Sequence, residues 1–446
     1  MKIVIAGAGE VGSHLAQMLS AEYHDITVID EQSKRLDELA GSADILPIEG
    51  DITSFETLAK GNVAGCDLFI AVSPEENTNI LAATIAKQLG AKKAIARIDN
   101  DEYLQPNNKE VFINMGIDYM FYPEKVAAAE VVTLLGHTST TEYIDFSGGR
   151  LAVVGFKLDA HSPLIGKTLV EVTRDRDALE YRTIAISRAG ETIIPRGNDF
   201  FKPGDMIYVI SNRKSTPEVM GFTGKANIDV RNMMILGGSR IGTRIAKELQ
   251  NEINVKLVDY NPEKAYKLAE ILDKTLVINE DGRKLEIMME EGLHSMDAFV
   301  ALTGRSETNI LAAMLAKKMG VKKVIAEVEN LNYINLAESI GIDTIINKKL
   351  ITASSIFRFT MTTDVQAIKC LNGCDAEVLE FIVKADSPAT KGKIKHLTFP
   401  VDAIVGGVVR GDLAFIAVGN TELRAYDRVV VFALPSAIGK VGRFFE

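Results

Sequence analysis

A glycine-rich turn near the start of the sequence has the residue types that hold a phosphate group. It follows the apolar run KIVIA and precedes VGSHLAQML, which has helical periodicity. In such a turn the first glycine allows a tight bend, the second lets the backbone approach a pyrophosphate, and the third lets a helix pack closely on a strand. The helix N-terminus then offers free N–H groups to the phosphate charge. The turn, in which we expect a dinucleotide to bind, consists of Gly7, Ala8, Gly9, Glu10, Val11 and Gly12.

The acidic residue Asp30 supports this expectation. It ends ITVID, the second predicted strand. A carboxylate at this position accepts hydrogen bonds from the ribose hydroxyls and repels a 2′-phosphate, which favours NAD(H) over NADP(H). The alternative is a glycine turn kept for packing alone, with Asp30 capping the end of its strand. We prefer the dinucleotide site because strand, turn, helix, strand and acid follow one another in the required order.

A second turn of this kind lies in the other half of the sequence, and Asp259 follows it at the end of KLVD. A serine at position 239 stands where a dinucleotide turn has its second glycine, and its side chain crowds the approach of a pyrophosphate. Two interpretations stay open for this site: an adenine nucleotide such as ATP or ADP, or an empty, degenerate pocket. The turn consists of Gly237, Gly238, Ser239, Arg240, Ile241 and Gly242.

Charged residues distinguish the two sites. Glu10 in the first turn corresponds to Arg240 in the second, and Arg97, at the end of AIAR, corresponds to Glu327. An arginine at the carboxyl end of a parallel strand lies over the ligand crevice, where it can pair with phosphate; a surface ion pair is the alternative. Because Glu10 repels an additional terminal phosphate and Arg240 attracts one, we predict NAD(H) at the first site and an adenine nucleotide, or no ligand, at the second.

The two sites arise because the sequence contains an internal duplication of one unit of about 220 residues. TNILAATIAKQLGAKKAIARIDN, from Thr78, and TNILAAMLAKKMGVKKVIAEVEN, from Thr308, share 14 of 23 residues. Each unit alternates β-branched runs with helical stretches and then changes to short strands separated by turns. We predict an α/β protein with two Rossmann-like doubly wound parallel-sheet domains, each followed by a small α+β module. The predicted boundaries are 1–136, 137–226, 227–360 and 361–446, with linking helices at 124–136 and 348–360.

Composition excludes several classes of function. The chain has 446 residues and a net charge of −10, so we do not expect it to bind nucleic acid. Three cysteines, Cys66, Cys370 and Cys374, are too few for a disulfide framework and have the spacing of no zinc site, so no metal is predicted. We also expect neither a signal peptide nor a membrane-spanning segment, because a strand pattern begins at Lys2 and no long uncharged apolar run is present.

We predict a binding protein and not an enzyme. A dehydrogenase needs an acid or base beside the nicotinamide, and none of the six histidines is expected at a strand end over either crevice. The residues at those strand ends, Ser73 and Thr303, are small and polar, which suits contact with a ligand better than proton transfer. An NAD-dependent dehydrogenase with a cryptic substrate pocket is the alternative.

The sequence resembles the RCK, or KTN, family of regulatory nucleotide-binding domains of potassium channels and transporters. The resemblance lies in GAGEVG with Asp30, EGDITS, ENTNILAATIAKQLG and AIARI. The segment from SPLIGKTL to MIYVI is similar to the C-terminal ligand module of that family, and two such pairs in one chain resemble the peripheral subunit of a potassium uptake system. The resemblance covers nearly the full length and is weakest in the last hundred residues. It implies nucleotide contacts, besides both turns and both strand-end acids, at Asp51, Ile52, Ser73, Arg97, Asp281 and Thr303.

The resemblance also implies an assembly. Its members form a ring, which for tandem units is expected to be a tetramer, on the cytosolic face of a membrane-embedded potassium-translocating subunit. Nucleotide exchange changes the shape of the ring, and the pore opens or closes. A nucleotide sensor for another cation transporter is the alternative that the sequence leaves open.

Overall fold

The structure is a computed structural model. It describes residues 1–21, 24–173, 180–222, 224, 227–357, 359–360, 365–371, 374 and 376–446. Among these residues, no helix combines the length and the apolar character that crossing a bilayer requires.

The first lobe is built on one parallel sheet with the strand order β3-β2-β1-β4-β5-β6. The order reverses at β1, which pairs with β2 on one side and β4 on the other, so a crevice opens at the carboxyl ends of these strands. The elements are β1 (Lys2–Ala6), α1 (Glu10–Ala21), β2 (Asp25–Asp30), α2 (Ser33–Ala40), β3 (Leu46–Glu49), α3 (Phe55–Lys60), β4 (Leu68–Ala71), α4 (Glu76–Gln88), β5 (Lys93–Arg97), α5 (Pro106–Asn114), β6 (Tyr119–Phe121) and α6 (Pro123–Gly136).

The segment after α6 forms an antiparallel sheet with the order β10-β9-β11-β8-β7. Its elements are β7 (Glu142–Phe146), β8 (Leu151–Lys157), α7 (Leu169–Thr173), β9 (Tyr181–Arg188), β10 (Glu191–Ile193), β11 (Met206–Asn212) and α8 (Thr216–Gly221).

The second lobe repeats the first, with a parallel sheet of order β14-β13-β12-β15-β16-β17. The elements are β12 (Asn232–Leu236), α9 (Arg240–Leu249), β13 (Asn254–Asp259), α10 (Pro262–Ile271), β14 (Leu276–Asn279), α11 (Leu285–Glu290), β15 (Ala298–Ala301), α12 (Ser306–Lys318), β16 (Lys323–Glu327), α13 (Ile334–Ser339), β17 (Thr344–Ile346) and α14 (Lys348–Phe357).

The last sheet in sequence order is a second antiparallel sheet, with the strand order β18-β19-β22-β20-β21. It packs on the first antiparallel sheet, because buried side chains of both, among them Leu151, Ile210, Val378 and Phe432, belong to one apolar core. The elements are β18 (Val365–Cys370), β19 (Glu377–Ile382), β20 (Ala403–Arg410), β21 (Leu413–Ile416), β22 (Arg428–Ala433) and α15 (Pro435–Phe445).

The central strands β1 and β12 are buried on both faces, as the continuous apolar runs KIVIA and NMMIL require, whereas the edge strands β3 and β14 are largely exposed. The predicted fold class, two Rossmann-like parallel sheets each followed by a small antiparallel module, is confirmed. The four domain boundaries stay a prediction.

The chain separates into two compact units that do not follow the sequence halves. One unit consists of Met1–Val126 and Lys348–Thr360. The other consists of Ala127–Asn347 and Met361–Glu446. The helix α14, which is encoded in the second half, therefore packs in the first unit, where it lies against α1. The helix α14, which the sequence predicts as a linking helix, thus finds a packing partner within the chain.

Candidate functional site

The first glycine turn has backbone geometry that only glycine fits at two positions. Gly7 has a φ of +111°, and its N–H donates to the carbonyl oxygen of Ile29 (2.8 Å). A Cβ on Gly12 would lie 1.8 Å from the carbonyl oxygen of Gly7, whereas a Cβ on Gly9 would meet no atom within 4 Å. The turn is therefore closed on its protein side and open at Gly9, in front of the N-terminus of α1, where a phosphate can approach.

Asp30 holds this turn in place. The residue is 8% exposed, and its Oδ2 accepts a hydrogen bond from the N–H of Ala8 (2.6 Å). Its Oδ1 accepts another from the N–H of Gln32 (2.9 Å). The carboxylate thus joins the turn to the end of β2, which is the place predicted for the ribose-binding acid. Val11, in the first turn of α1, is half-buried.

The strand ends next to the turn are tied together by Asn79, a residue that the sequence analysis missed. Asn79 is fully buried in α4, and its Oδ1 accepts from the N–H of Ser73 (2.8 Å). Its Nδ2 donates to the carbonyl oxygens of Ser73 (2.9 Å) and Arg97 (3.0 Å). The predicted contacts Ser73 and Arg97 are therefore brought together at the crevice by one amide. Asn79 lies in TNILAA, which is identical in both halves, and that identity was the available signal.

Arg97 forms a partly buried ion pair instead of the surface pair considered as its alternative. Its Nη2 donates to Oε1 of Glu124 (2.8 Å), and the two side chains are 18% and 8% exposed. The other carboxylate oxygen of Glu124 is buried and has no hydrogen-bond partner among the residues that the structure describes. The guanidinium thus joins the end of β5 to the start of α6 while it remains near the crevice.

Asp51 and Ile52, after β3, differ in what they can offer a ligand. Asp51 is exposed, and its Oδ1 accepts from the N–H (2.7 Å) and the hydroxyl (2.8 Å) of Thr53. Ile52 is 6% exposed and belongs to the core of the lobe. Only the backbone of Ile52 is available for a contact with a nucleotide.

The second turn has the same bend as the first, but a side chain stands where a phosphate would approach the N-terminus of α9. Gly237 has a φ of +101°, and a Cβ on Gly242 would lie 2.4 Å from the carbonyl oxygen of Gly237. Ser239 is the N-cap of α9, and its hydroxyl accepts from the N–H of Gly242 (3.3 Å). This serine therefore occupies one of the N–H groups that a phosphate would use. Ile241 is buried in the lobe.

Asp259 repeats the contacts of Asp30, and Lys264 takes the place of Arg35, whose Nη1 lies 3.9 Å from Oδ1 of Asp30 in the first lobe. Asp259 accepts from the N–H of Gly238 (2.8 Å) and the N–H of Asn261 (2.9 Å), and Nζ of Lys264 is 3.0 Å away. Burial alone would raise the pKa of Asp259, but these hydrogen bonds outweigh it and hold the pKa below its ordinary value.

The remaining predicted residues of the second lobe are already engaged. Oδ1 of Asn309 accepts from the N–H of Thr303, and its Nδ2 donates to the carbonyl oxygen of Glu327, as Asn79 does for Ser73 and Arg97 in the first lobe. Oδ1 of Asn309 also accepts from the hydroxyl of Thr303, a contact that Ser73 does not make with Asn79. Asp281 accepts two hydrogen bonds from the guanidinium of Arg283 (2.8 Å each), which lowers the pKa of Asp281 to about 2.

Asp259→Asn is expected to lower the free energy of unfolding by about 1–2 kcal/mol at pH 7, because the charge-assisted hydrogen bonds are weakened. The folded-state pKa of Asp259 is lowered, so its contribution is present above the unfolded pKa near 4 and is lost as pH falls through the folded value. Thermal unfolding between pH 3 and 7 should show the difference from the native chain shrinking below about pH 4. Asp273→Asn, at an exposed position, is the control; an equal effect there would contradict the assignment.

Comparisons with known proteins match the whole chain. The family model of the TrkA-N domain matches residues 3–123 and 233–348. The TrkA-C domain matches residues 153–223 and 378–446. The Trk system potassium uptake protein TrkA of Halomonas elongata is 32% identical over 451 residues, covering 100% of this chain and 99% of that protein. A homologue of TrkA from Methanosarcina mazei is 31% identical over 459 residues, with all of both chains covered.

Solved structures share the fold at low sequence identity. The GsuK RCK domain is 16% identical, with a TM-score of 0.63, over 100% of this chain and 94% of its own. The GsuK channel bound to NAD is also 16% identical, with a TM-score of 0.62, over 100% of this chain and 78% of its own. Both sequence domains occur twice in the same order, and full-length relatives exceed 30% identity. The chain therefore belongs to the TrkA family of Trk system potassium uptake proteins.

Proposed function

We propose that this chain is a regulatory subunit of a potassium transporter and that it responds to NAD(H) bound at the first glycine turn. The observation that carries the proposal is the turn itself, which is closed between Gly7 and Gly12, anchored on Asp30 and open at Gly9. The TrkA relatives support the transport role, and the GsuK channel, which shares this fold, has been seen bound to NAD. Differential affinity of the ligand for two conformations would then shift the chain between them.

Binding without catalysis fits the crevice of the first lobe. The side chains predicted to face the ligand are Asp30, Ser73 and Arg97, and they are held by backbone groups or by Glu124. These groups position a ligand through fixed hydrogen bonds. The nucleotide therefore acts as a signal and not as a hydride carrier.

The two lobes are proposed to differ in ligand, with NAD(H) in the first and ADP or ATP, or nothing, in the second. The cap made by Ser239 supports this, because the position corresponding to it in the first lobe, Gly9, has no side chain. Halves of the chain are not suitable for testing it, since α14 packs against α1. Full-length chains with one turn blocked by Gly12→Ala or Gly242→Ala separate the two sites.

Exchanging the residues at positions 9 and 239 between the two turns is expected to weaken NADH binding at the first site and to strengthen ADP binding at the second. Gly9→Ser should weaken NADH binding to the first lobe about tenfold, because a hydroxyl then competes for an N–H group at the start of α1. Ser239→Gly should strengthen ADP binding to the second lobe about fivefold, at a cost in helix stability of only a few tenths of a kcal/mol. Calorimetric titration of each variant measures both. Unchanged affinities in both variants would contradict the proposed difference between the sites.

The proposed partner is a membrane-embedded potassium-translocating subunit, on whose cytosolic face copies of this chain form a ring, which we take to be a tetramer of tandem units. The test is co-purification of the native chain from solubilised membranes, followed by rubidium flux into vesicles that contain both proteins. Flux that changes with NADH, and that loses this response with Gly12→Ala, supports the proposal. Co-purification with a different cation transporter, or flux that NADH leaves unchanged, would contradict it.

A further inference from the structure

A cavity of about 140 Å³ lies where the first antiparallel sheet meets the second lobe. One wall comes from the segment that leads into β7 and from β8 and β11, and the other comes from α13 and β17. Hydrogen bonds join the two sides. The Nζ of Lys323, which is fully buried, donates to the carbonyl oxygen of Thr140 (2.5 Å), and the hydroxyl of Thr344 donates to the carbonyl oxygen of Thr141 (3.2 Å). The cavity is therefore part of a junction within one compact unit of the chain.

Acidic residues line the cavity from both sides. Glu142, the first residue of β7, is 3% exposed, and Glu338 lies in the last turn of α13. Tyr208 of β11 also lines the cavity and is fully buried. Burial, and after it the neighbouring Cys374 and the two glutamates, raise the pKa of Tyr208 well above its ordinary value, so the phenol stays neutral. Because both glutamates act on this one phenol, both charges reach the interior of the same cavity.

The cavity is also suited to water. Ser139 lines it, and the hydroxyl of this serine is buried and has no hydrogen-bond partner among the residues that the structure describes. A cavity holds water when it is polar and exceeds the volume of one probe sphere, and this one is well above that size. A charge that forms on Glu338 can therefore be solvated in place by water that enters the junction.

Glu338 forms no ion pair within the described part of the chain. Lys317 binds Asp343 (2.6 Å), and Lys323 donates to the carbonyl oxygen of Thr140 and to the hydroxyl of Thr344, which are neutral. Lys157, at the end of β8, is exposed. Burial therefore raises the pKa of Glu338, and the charge of Lys157 offsets this increase only in part.

His137 is a second group at this junction that titrates near neutral pH. Its ring stacks on that of Tyr143, with the centroids 3.9 Å apart. Burial lowers the pKa of His137, Asp145 acts in the opposite direction, and the charge of Lys323 lowers it further. The imidazole is therefore neutral at pH 7, and its protonation has to be separated from that of Glu338 by experiment.

The fold of the lobe does not require an acid at position 338. Glu338 in AESIGID corresponds to Ile113 in FINMGID, at the end of the equivalent helix of the first lobe. Ile113 is 49% exposed, so neither burial nor charge is needed there to form the helix end. The glutamate is present in the lobe whose helix end lines the cavity.

We propose that this junction is a proton-operated switch in which Glu338 is the titrating group. With Glu338 neutral, the cavity stays closed and the first antiparallel sheet is held on the second lobe. With Glu338 ionised, a second negative charge joins that of Glu142, water enters and the junction loosens. The strand β16 runs from Lys323 at the junction to Glu327 at the second crevice, so the switch lies one strand away from the second turn. Unlike the proposed response to NAD(H), this switch needs no ligand.

Glu338→Gln carries the neutral form at every pH. Because the pKa of Glu338 is raised in the folded state, the stability of the native chain falls as pH rises from the unfolded value of about 4.3 through the folded value. The melting temperature of Glu338→Gln minus that of the native chain should therefore increase by about 2–4 °C between pH 5 and pH 8. Thermal unfolding without nucleotide measures this difference. Glu270→Gln, at an exposed position in the last turn of α10, is the control and should show a constant difference from the native chain.

Hydrogen–deuterium exchange locates the change. After correction for the intrinsic pH dependence of exchange, the amides of residues 138–142 and 342–346 in the native chain should exchange about tenfold faster at pH 8 than at pH 5, whereas those of β1 should not. The increase should be absent in Glu338→Gln, should move to higher pH in Lys157→Met and should persist in His137→Gln. An increase that Glu338→Gln retains, or that His137→Gln abolishes, would overturn the switch. Equal melting profiles of Glu338→Gln and Glu270→Gln would overturn it as well.

Discussion

Gly12→Ala is expected to weaken NADH binding at the first lobe at least a hundredfold and to lower the free energy of unfolding by about 1–3 kcal/mol. The added Cβ would lie 1.8 Å from the carbonyl oxygen of Gly7, so one of the two groups must move. Neither can move alone. Gly7 is hydrogen-bonded to Ile29, and a Cβ at Gly7 would already be 3.0 Å from the backbone nitrogen of Ser73.

The binding loss follows because this contact fixes the turn relative to the start of α1. When Gly7 and Gly12 separate, the N–H groups that face the phosphate no longer converge. Calorimetric titration with NADH, together with thermal unfolding, measures both effects. The titration is made in a chain whose second turn carries Gly242→Ala, so that only the first lobe is observed.

Gly439→Ala is the matched control, because Gly439 lies within α15 and an added Cβ there meets no atom within 4 Å. It should raise the free energy of unfolding by about 0.5–1 kcal/mol and leave NADH binding unchanged. Native-like NADH affinity in Gly12→Ala would show that the ligand does not depend on the closed turn, and the proposed site would then be wrong.

The parts of this site that the sequence predicts are those in which neighbouring residues constrain one another. A strand, a glycine turn, a helix and a strand-end acid follow within 30 residues, and their order alone places Gly7, Gly12 and Asp30 at one edge of the sheet. The duplication then predicts the second lobe. These features depend on residues that are close together in the sequence, so the fold class could be derived from the sequence.

Contacts over long stretches of chain were not predictable in the same way. The apolar face of α14 fits any apolar helix, so nothing in its pattern selects α1 as its partner. The proximity of Lys349 on α14 to Glu10 of the first turn was consequently not predicted. The partner of Arg97 is a glutamate 27 residues away, on a helix whose orientation the sequence does not fix. Asn79 was missed because a polar residue in an amphipathic helix is usually exposed.

Asn79→Leu is expected to lower the free energy of unfolding by about 3 kcal/mol or more and to weaken nucleotide binding at the first lobe. Leucine has a similar volume but cannot bind the backbone groups of Ser73 and Arg97, which are then left without this partner. Each unsatisfied buried group costs about 1–3 kcal/mol. Asn77→Leu, at an exposed position of the same helix, should change stability by less than about 0.5 kcal/mol.

Asn79→Asp distinguishes the hydrogen bonds from packing, because it keeps the size and the acceptor but removes the donor. At neutral pH its carboxylate would face the carbonyl oxygens of Ser73 and Arg97, so the loss should be at least as large as with leucine. As pH falls the carboxyl becomes protonated and can donate again, so part of the stability should return, whereas the leucine variant should show no such recovery. Thermal unfolding of both variants from pH 7 to pH 4 measures this. If the two variants follow the same pH profile, Asn79 acts by filling space, and the strand ends that carry Ser73 and Arg97 are positioned by other contacts.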